Sequence, residues 1–121
     1  MRDDLPADVA EALGILLSAD DAVHRALRAQ IPHVRVAGRC ACGCGTAYFD
    51  TDTDAVAPAP TGVGTVVAAD AQVFTAAGEC PGEVLVFTRG GYLSWLEVCS
   101  RSEDIEVTLD AALGRLRART R

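Results

Sequence analysis

Cys40-Ala41-Cys42-Gly43-Cys44 places three thiols within one short stretch of a chain that holds five cysteines and two histidines in all. Three thiolates are most of a zinc donor set, since zinc takes about four ligands with sulfur at roughly 2.3 Å. An extended chain rises about 3.3 Å per residue and would hold Cys40 and Cys44 roughly 13 Å apart. Gly43 must therefore turn the backbone if the three sulfurs are to share one ion. The spacing also differs from the C-x-x-C pairs of zinc knuckles. Beside zinc held by Cys40, Cys42 and Cys44 stand two other readings: small buried or turn residues, and thiol redox chemistry, in which the neighbouring Arg39 would favour a thiolate. Cys80, Cys99, His24 and His33 are the remaining soft ligands, and no spacing joins them to the triplet.

Other titratable groupings carry weaker chemistry. Asp50, Asp52 and Asp54 form D-x-D-x-D, which would point three carboxylates one way along an extended segment. A calcium loop of the helix-loop-helix type would want glycine at Ala55 and glutamate at Thr61, so a solvated strand edge paired with Arg35 and His33 is the stronger reading. The two histidines have no serine or cysteine nucleophile motif near them. Gly62-Val63-Gly64 lacks the third glycine and the following helix of a phosphate loop. These absences favour a binding protein over an enzyme.

The elements that must position these residues are organised around Glu83 to Cys99. Two β-rich runs flank Gly90-Gly91, and glycine supplies the positive φ of primed two-residue turns, so the spacing predicts a hairpin. With the two glycines as its loop, Arg89 faces Tyr92, Phe87 faces Ser94, Leu85 faces Leu96 and Glu83 faces Val98. The other side then carries Val84, Val86, Thr88, Leu93, Trp95, Glu97 and Cys99. Both sides are largely apolar, which predicts an interior hairpin or one face kept for a protein partner or a second copy of the chain. Trp95, Glu97 and Leu93 are the candidate contact residues for such a partner.

Before the hairpin, Leu5 to Leu17 reads as an amphipathic helix through Val9, Leu13, Leu16 and Leu17. Ser18 with Asp21 resembles a capping box, which predicts a second helix from about Ala19 or Asp20 to Gln30, with His24, Arg25 and Arg28 outside its buried stripe and Pro32 ending it. His33 to Arg39 and Thr46 to Thr51 read as strands joined through the cysteine segment. With Cys42-Gly43 as the loop, Val36 faces Phe49, Arg35 faces Asp50 and His33 faces Asp52. That register sends Cys40 and Cys44 to opposite faces, which counts against a three-cysteine site. Val63 to Ala69 and Gln72 to Thr75 are weaker strands. Thr108 caps a final helix bearing Leu109, Ala112, Leu113 and Leu116. The whole predicts a single α+β domain over residues 1–121: a mostly antiparallel sheet of five or six strands, two N-terminal helices and one C-terminal helix.

Composition bounds the partners. At 121 residues, half of them hydrophobic and 23% charged, the chain suits one folded domain. Every basic residue is arginine, the mark of a GC-rich genome that also inflates alanine, so alanine content alone is not helix evidence. The formal net charge of -6 disfavours nucleic acid. Arg115, Arg117, Arg119 and Arg121 are read as complementing the end of the last helix. No apolar run reaches membrane-span length, and the acidic Met1-Arg2-Asp3-Asp4 is unlike a signal peptide, so a cytoplasmic protein without a membrane partner is expected.

Pro32-His33-Val34 leading into Arg39-Cys40-x-Cys42-Gly43-Cys44, then a hydrophobic strand, then Gly91-Tyr92-Leu93-x-x-Leu96-Glu97-Val98, resembles a group of small bacterial α+β proteins. The resemblance runs from the second helix onward. It implies the fold and a bacterial origin, brings no activity with it, and directs attention to Cys42, Gly43, Cys44, Leu96 and Glu97.

Overall fold

A computed structural model describes residues 5–101 and 106–118. Helices α1 (Ala7–Leu16) and α2 (Ala22–Gln30) precede strands β1 (Val34–Arg39), β2 (Ala47–Thr51), β3 (Thr65–Val73), β4 (Gly82–Arg89) and β5 (Tyr92–Ser100). A single-turn helix α3 (Leu109–Ala112) and a short strand β6 (Leu116–Ala118) follow. The strands form one antiparallel sheet in the order β1-β2-β5-β4-β3-β6. The α+β class, the antiparallel sheet and the placing of the helices at the two ends of the chain are as the sequence predicts.

One face of the sheet carries the core. Val9, Leu13 and Leu16 of α1 and Leu27 of α2 bury against Val34, Ala47, Val84, Val86, Leu93 and Leu96. The opposite strand positions Leu85, Phe87 and Trp95 are only half-buried and lie outside the core cluster. Burying a leucine or valine side chain contributes about 1.5–3 kcal/mol, so this one-sided layer is what holds the helices down.

Four local expectations are corrected. The second helix is capped by Asp21, whose carboxylate accepts from the His24 N–H at 2.9 Å, while the Ser18 hydroxyl donates to the Ile15 carbonyl instead. His24 is consequently buried at 8% exposure, not outside the stripe, because capping turns its ring back onto Asp21. The two weak strands are one, β3, with Ala68 as an extra residue against β4. The final helix stops at Ala112: a 3₁₀ turn over Leu113–Arg115 leads into β6, which pairs along Ala71–Val73 of β3. Gly114 weakens helix there, and the bare edge of β3 offers hydrogen bonds that a longer helix would forgo. Arg117 therefore lies in a strand, and Arg119 and Arg121 fall outside the described residues.

The diglycine hairpin forms as expected, with Gly90 and Gly91 at φ 58 and 87. Arg89 pairs with Tyr92 and Thr88 with Leu93, but Ser94 is then an extra residue, so Phe87 pairs with Trp95, Val86 with Leu96 and Leu85 with Glu97. The bulge shifts the register by one and splits the predicted contact trio. Leu93 turns inward at 2% exposure, while Trp95 and Glu97 stand on the open face. Leu93 is thus a core residue, since a partner cannot reach it.

Fully buried Gln30 ties α2 to this turn. Its Nε2 donates to the carbonyls of Gly91 (2.9 Å) and Ala57 (3.2 Å), and its Oε1 accepts from the Leu93 N–H (2.9 Å). These bonds satisfy backbone groups that the hairpin end leaves without a ladder partner.

Candidate metal centre

β1 and β2 keep the predicted pairs Arg35 with Asp50 and Val36 with Phe49, and the Asp52 N–H donates to the His33 carbonyl at 2.9 Å. The Arg35 and Asp50 side chains meet at 2.7 Å. Beyond Val36 the register changes. Ala37 is an extra residue, Gly38 pairs with Tyr48 and Arg39 with Ala47, and the last rung is Cys40 N–H to the Thr46 carbonyl at 2.9 Å. The connection is therefore the five-residue loop Ala41–Gly45, not a two-residue turn at Cys42-Gly43.

That longer loop overturns the argument against convergence. Gly43 and Gly45 take φ of 87 and 101, a left-handed backbone that side-chain-bearing residues rarely adopt. The Gly43 N–H folds back to the Cys40 carbonyl at 3.3 Å. With two such bends the three sulfurs of Cys40, Cys42 and Cys44 lie within 4.8 Å of one another. Cys40 and Cys42 are closest, at 2.9 Å between sulfurs, and the Cys44 N–H donates to the Cys42 sulfur at 3.4 Å.

One side of the loop is anchored. The Leu109 N–H at the start of α3 donates to the Cys44 carbonyl at 2.8 Å. Gly45 sits so close to Leu109 that a Cβ there would come within 2.5 Å of the leucine Cβ. Arg39 reaches over from β1, donating to the Gly45 carbonyl and to Asp8 of α1, each at 2.9 Å. The guanidinium holds the Asp8 carboxyl below its ordinary range, mainly through that hydrogen bond and against the cost of burial. The same guanidinium thereby ties the Gly45 end of the cysteine loop to α1.

The thiols are unequal. Partial burial works against the Cys44 thiolate, but the Thr46 hydroxyl and N–H and the neighbouring thiols outweigh it, and the Cys44 pKa falls below the usual thiol value. Thr46 Oγ1 accepts from the Val98 N–H at 2.9 Å and lies 3.3 Å from the Cys44 sulfur, so its own proton is available to a thiolate there. Exposed Cys42 moves the other way. Its thiol is pushed up to about 11, chiefly by its hydrogen bond with Cys40, and the Cys44 N–H only partly offsets this.

Thiolates held 2.3 Å from a tetrahedral ion sit about 3.8 Å from one another, so the cluster accommodates an ion once Cys40 and Cys42 separate by roughly 1 Å. Sulfur donors select zinc or copper(I) over magnesium or calcium. Among the described residues these three cysteines are the group of His, Cys, Asp and Glu side chains that converges. A bound zinc would therefore find three protein ligands among the described residues.

The other sequence candidates do not join them. His24 is engaged with Asp21 at 2.8 Å, Cys80 donates to the Gly82 carbonyl at 3.3 Å, and the Asp52 carboxylate accepts from the Asp54 N–H in a local turn. All five cysteines are free thiols. Thr46 is the site residue that sequence reading misses, since a hydroxyl two residues after a cysteine carries no distinguishing signal. No helix among the described residues is long and apolar enough to cross a membrane.

No family model, curated protein or solved structure matches the chain. Its chemistry rests on its own residues.

Proposed function

We propose that this protein is a metal-binding domain that takes one zinc ion through the thiolates of Cys40, Cys42 and Cys44. The observation that carries the reading is the convergence of the three sulfurs within 4.8 Å on a loop bent by two left-handed glycines. Cys44 gives up its proton more readily than Cys42, so the ion has to displace a proton from Cys42. Free thiols stay available in a reducing cytoplasm, the compartment this reading requires.

Because protons compete with the ion, apparent affinity rises with pH. At neutral pH, below the value of about 11 for Cys42, that thiol still carries the proton the metal must displace. The test is elemental analysis of reduced protein loaded with zinc and dialysed, with affinity measured against a competing chelator at several pH values. One zinc per chain is expected, with affinity increasing from about pH 6 to about pH 8. Cys42→Ser and Cys44→Ser lose the metal, and Cys80→Ser and Cys99→Ser keep it. Sub-stoichiometric zinc in the unaltered chain, or full zinc in Cys44→Ser, overturns the reading.

A further inference from the structure

On the open face of the sheet a row of side chains crosses four strands. Tyr48 on β2 pairs with Trp95 on β5, Trp95 with Phe87 on β4, and Phe87 with Val67 on β3. Directly paired residues share a face, and the ends of the row, Tyr48 and Val67, are 47% and 45% exposed. The Phe87 and Trp95 rings stack at 4.1 Å between centroids and 9° between planes. A ring face of each is thereby spent on the other, which leaves a poor platform for a nucleobase or a sugar. The net charge of -6 further disfavours a polyanion. What remains is an apolar strip suited to another protein surface.

The charges beside the strip say which surface. Along the strands, Arg89 lies on the hairpin-turn side of the row and Glu97 on the opposite side. The Arg89 guanidinium stands 5.9 Å from the Trp95 ring centroid, and Glu97 accepts from Trp95 Nε1 at 3.1 Å. Neither makes an ion pair among the described residues. A patch with a cation on one side of an aromatic row and an anion on the other is complementary to itself.

We propose that a second copy of this chain covers this face, related by a two-fold axis that runs along the row and across the strands. Such an axis lays the hairpin end of one copy over the far end of the other. Arg89 of each copy then faces Glu97 of its mate, and aromatic row meets aromatic row. An axis along the strands would instead set arginine against arginine, so the charges select one of the two aligned arrangements.

The test uses the full, reduced chain in sedimentation equilibrium across a wide concentration range, with the fluorescence of Trp95, the single tryptophan, read in parallel. The unaltered chain sediments as two copies, and its emission shifts to the red on dilution. Arg89→Glu and Glu97→Arg each weaken association by at least about tenfold, because like charges then face one another, and the double exchange regains most of the loss. Circular dichroism shows that each variant is folded. A chain that stays monomeric at all concentrations overturns the proposal. So does a dimer indifferent to both single reversals, or a folded double exchange that remains as weak as either reversal alone. Capture of a different protein by a monomeric chain counts against it equally.

Discussion

Thr46 shows how much of the cysteine centre is decided by a side chain that is not itself a ligand. It is buried at 6% exposure, and its one hydroxyl serves both the Val98 N–H and the Cys44 sulfur. Thr46→Val keeps the shape and removes both interactions. The Val98 N–H would be left buried without a partner, at a cost of about 1–3 kcal/mol in denaturant unfolding. Cys44 would lose the donor that favours its thiolate, and losses of this outer-shell kind weaken metal affinity by about 10–100-fold. Thr46→Ser, which retains the hydroxyl, should stay close to the parent in both measurements. Zinc titration of Thr46→Val that matched the parent would assign the hydroxyl to folding alone.

Among the elements, the β4–β5 hairpin concentrates the strictest backbone demands. Gly90 and Gly91 both have positive φ, yet their surroundings differ: nothing lies within 4 Å of a Cβ on Gly90, whereas one on Gly91 would meet the Ala59 carbonyl oxygen at 2.6 Å and Pro58 at 2.8 Å. The Ala59 N–H and Gln30 converge on the Gly91 carbonyl, so the turn cannot shift without disturbing α2 and the loop between β2 and β3. Gly90→Ala is therefore expected to cost about 1–2 kcal/mol, the penalty of the left-handed conformation. Gly91→Ala should cost at least about 1 kcal/mol more, because tightly packed surroundings relax only in part. Denaturant unfolding of the two variants side by side gives the comparison, and equal losses would mean that the contact with Ala59 is slack. The same hairpin marks where sequence reading stops. Gly90-Gly91 announces the turn through residue type, but Ser94 has the same polarity whether it is bulged or paired, and the bulge alone decides which face Trp95 occupies. Ala37 acts likewise in β1: Val36 with Phe49 follows from pattern matching, while the extra residue beyond it changes the cysteine loop from two residues to five. At the C-terminus, Leu109, Ala112, Leu113 and Leu116 keep helical spacing although Leu116 lies in a strand, because the edge of β3 that receives it is distant in sequence.

At the scale of the whole molecule, the cysteine loop bridges the β1–β2 end of the sheet and α3 through the Leu109 to Cys44 hydrogen bond, and Arg39 extends that link to α1. An ion bound there would stabilise the folded state, but the three ligands lie so close in sequence that the unfolded chain can gather them as well. Binding to the native state alone would contribute about 2.7 kcal/mol at a free zinc concentration of 100 times Kd, and binding to the unfolded chain subtracts from this. The folded state keeps an advantage because Gly43 and Gly45 are already bent, Thr46 already faces Cys44, and Arg39 is already in place. Zinc should accordingly raise the melting temperature by a few degrees, less than the rise on the order of 10 °C that the full 2.7 kcal/mol would give a domain of this size. Thermal unfolding with and without zinc, paired with a zinc titration in concentrated guanidinium, separates the contributions. A native affinity no higher than that of the unfolded chain would leave the melting temperature unmoved, and would show that the fold does nothing to prepare the three sulfurs.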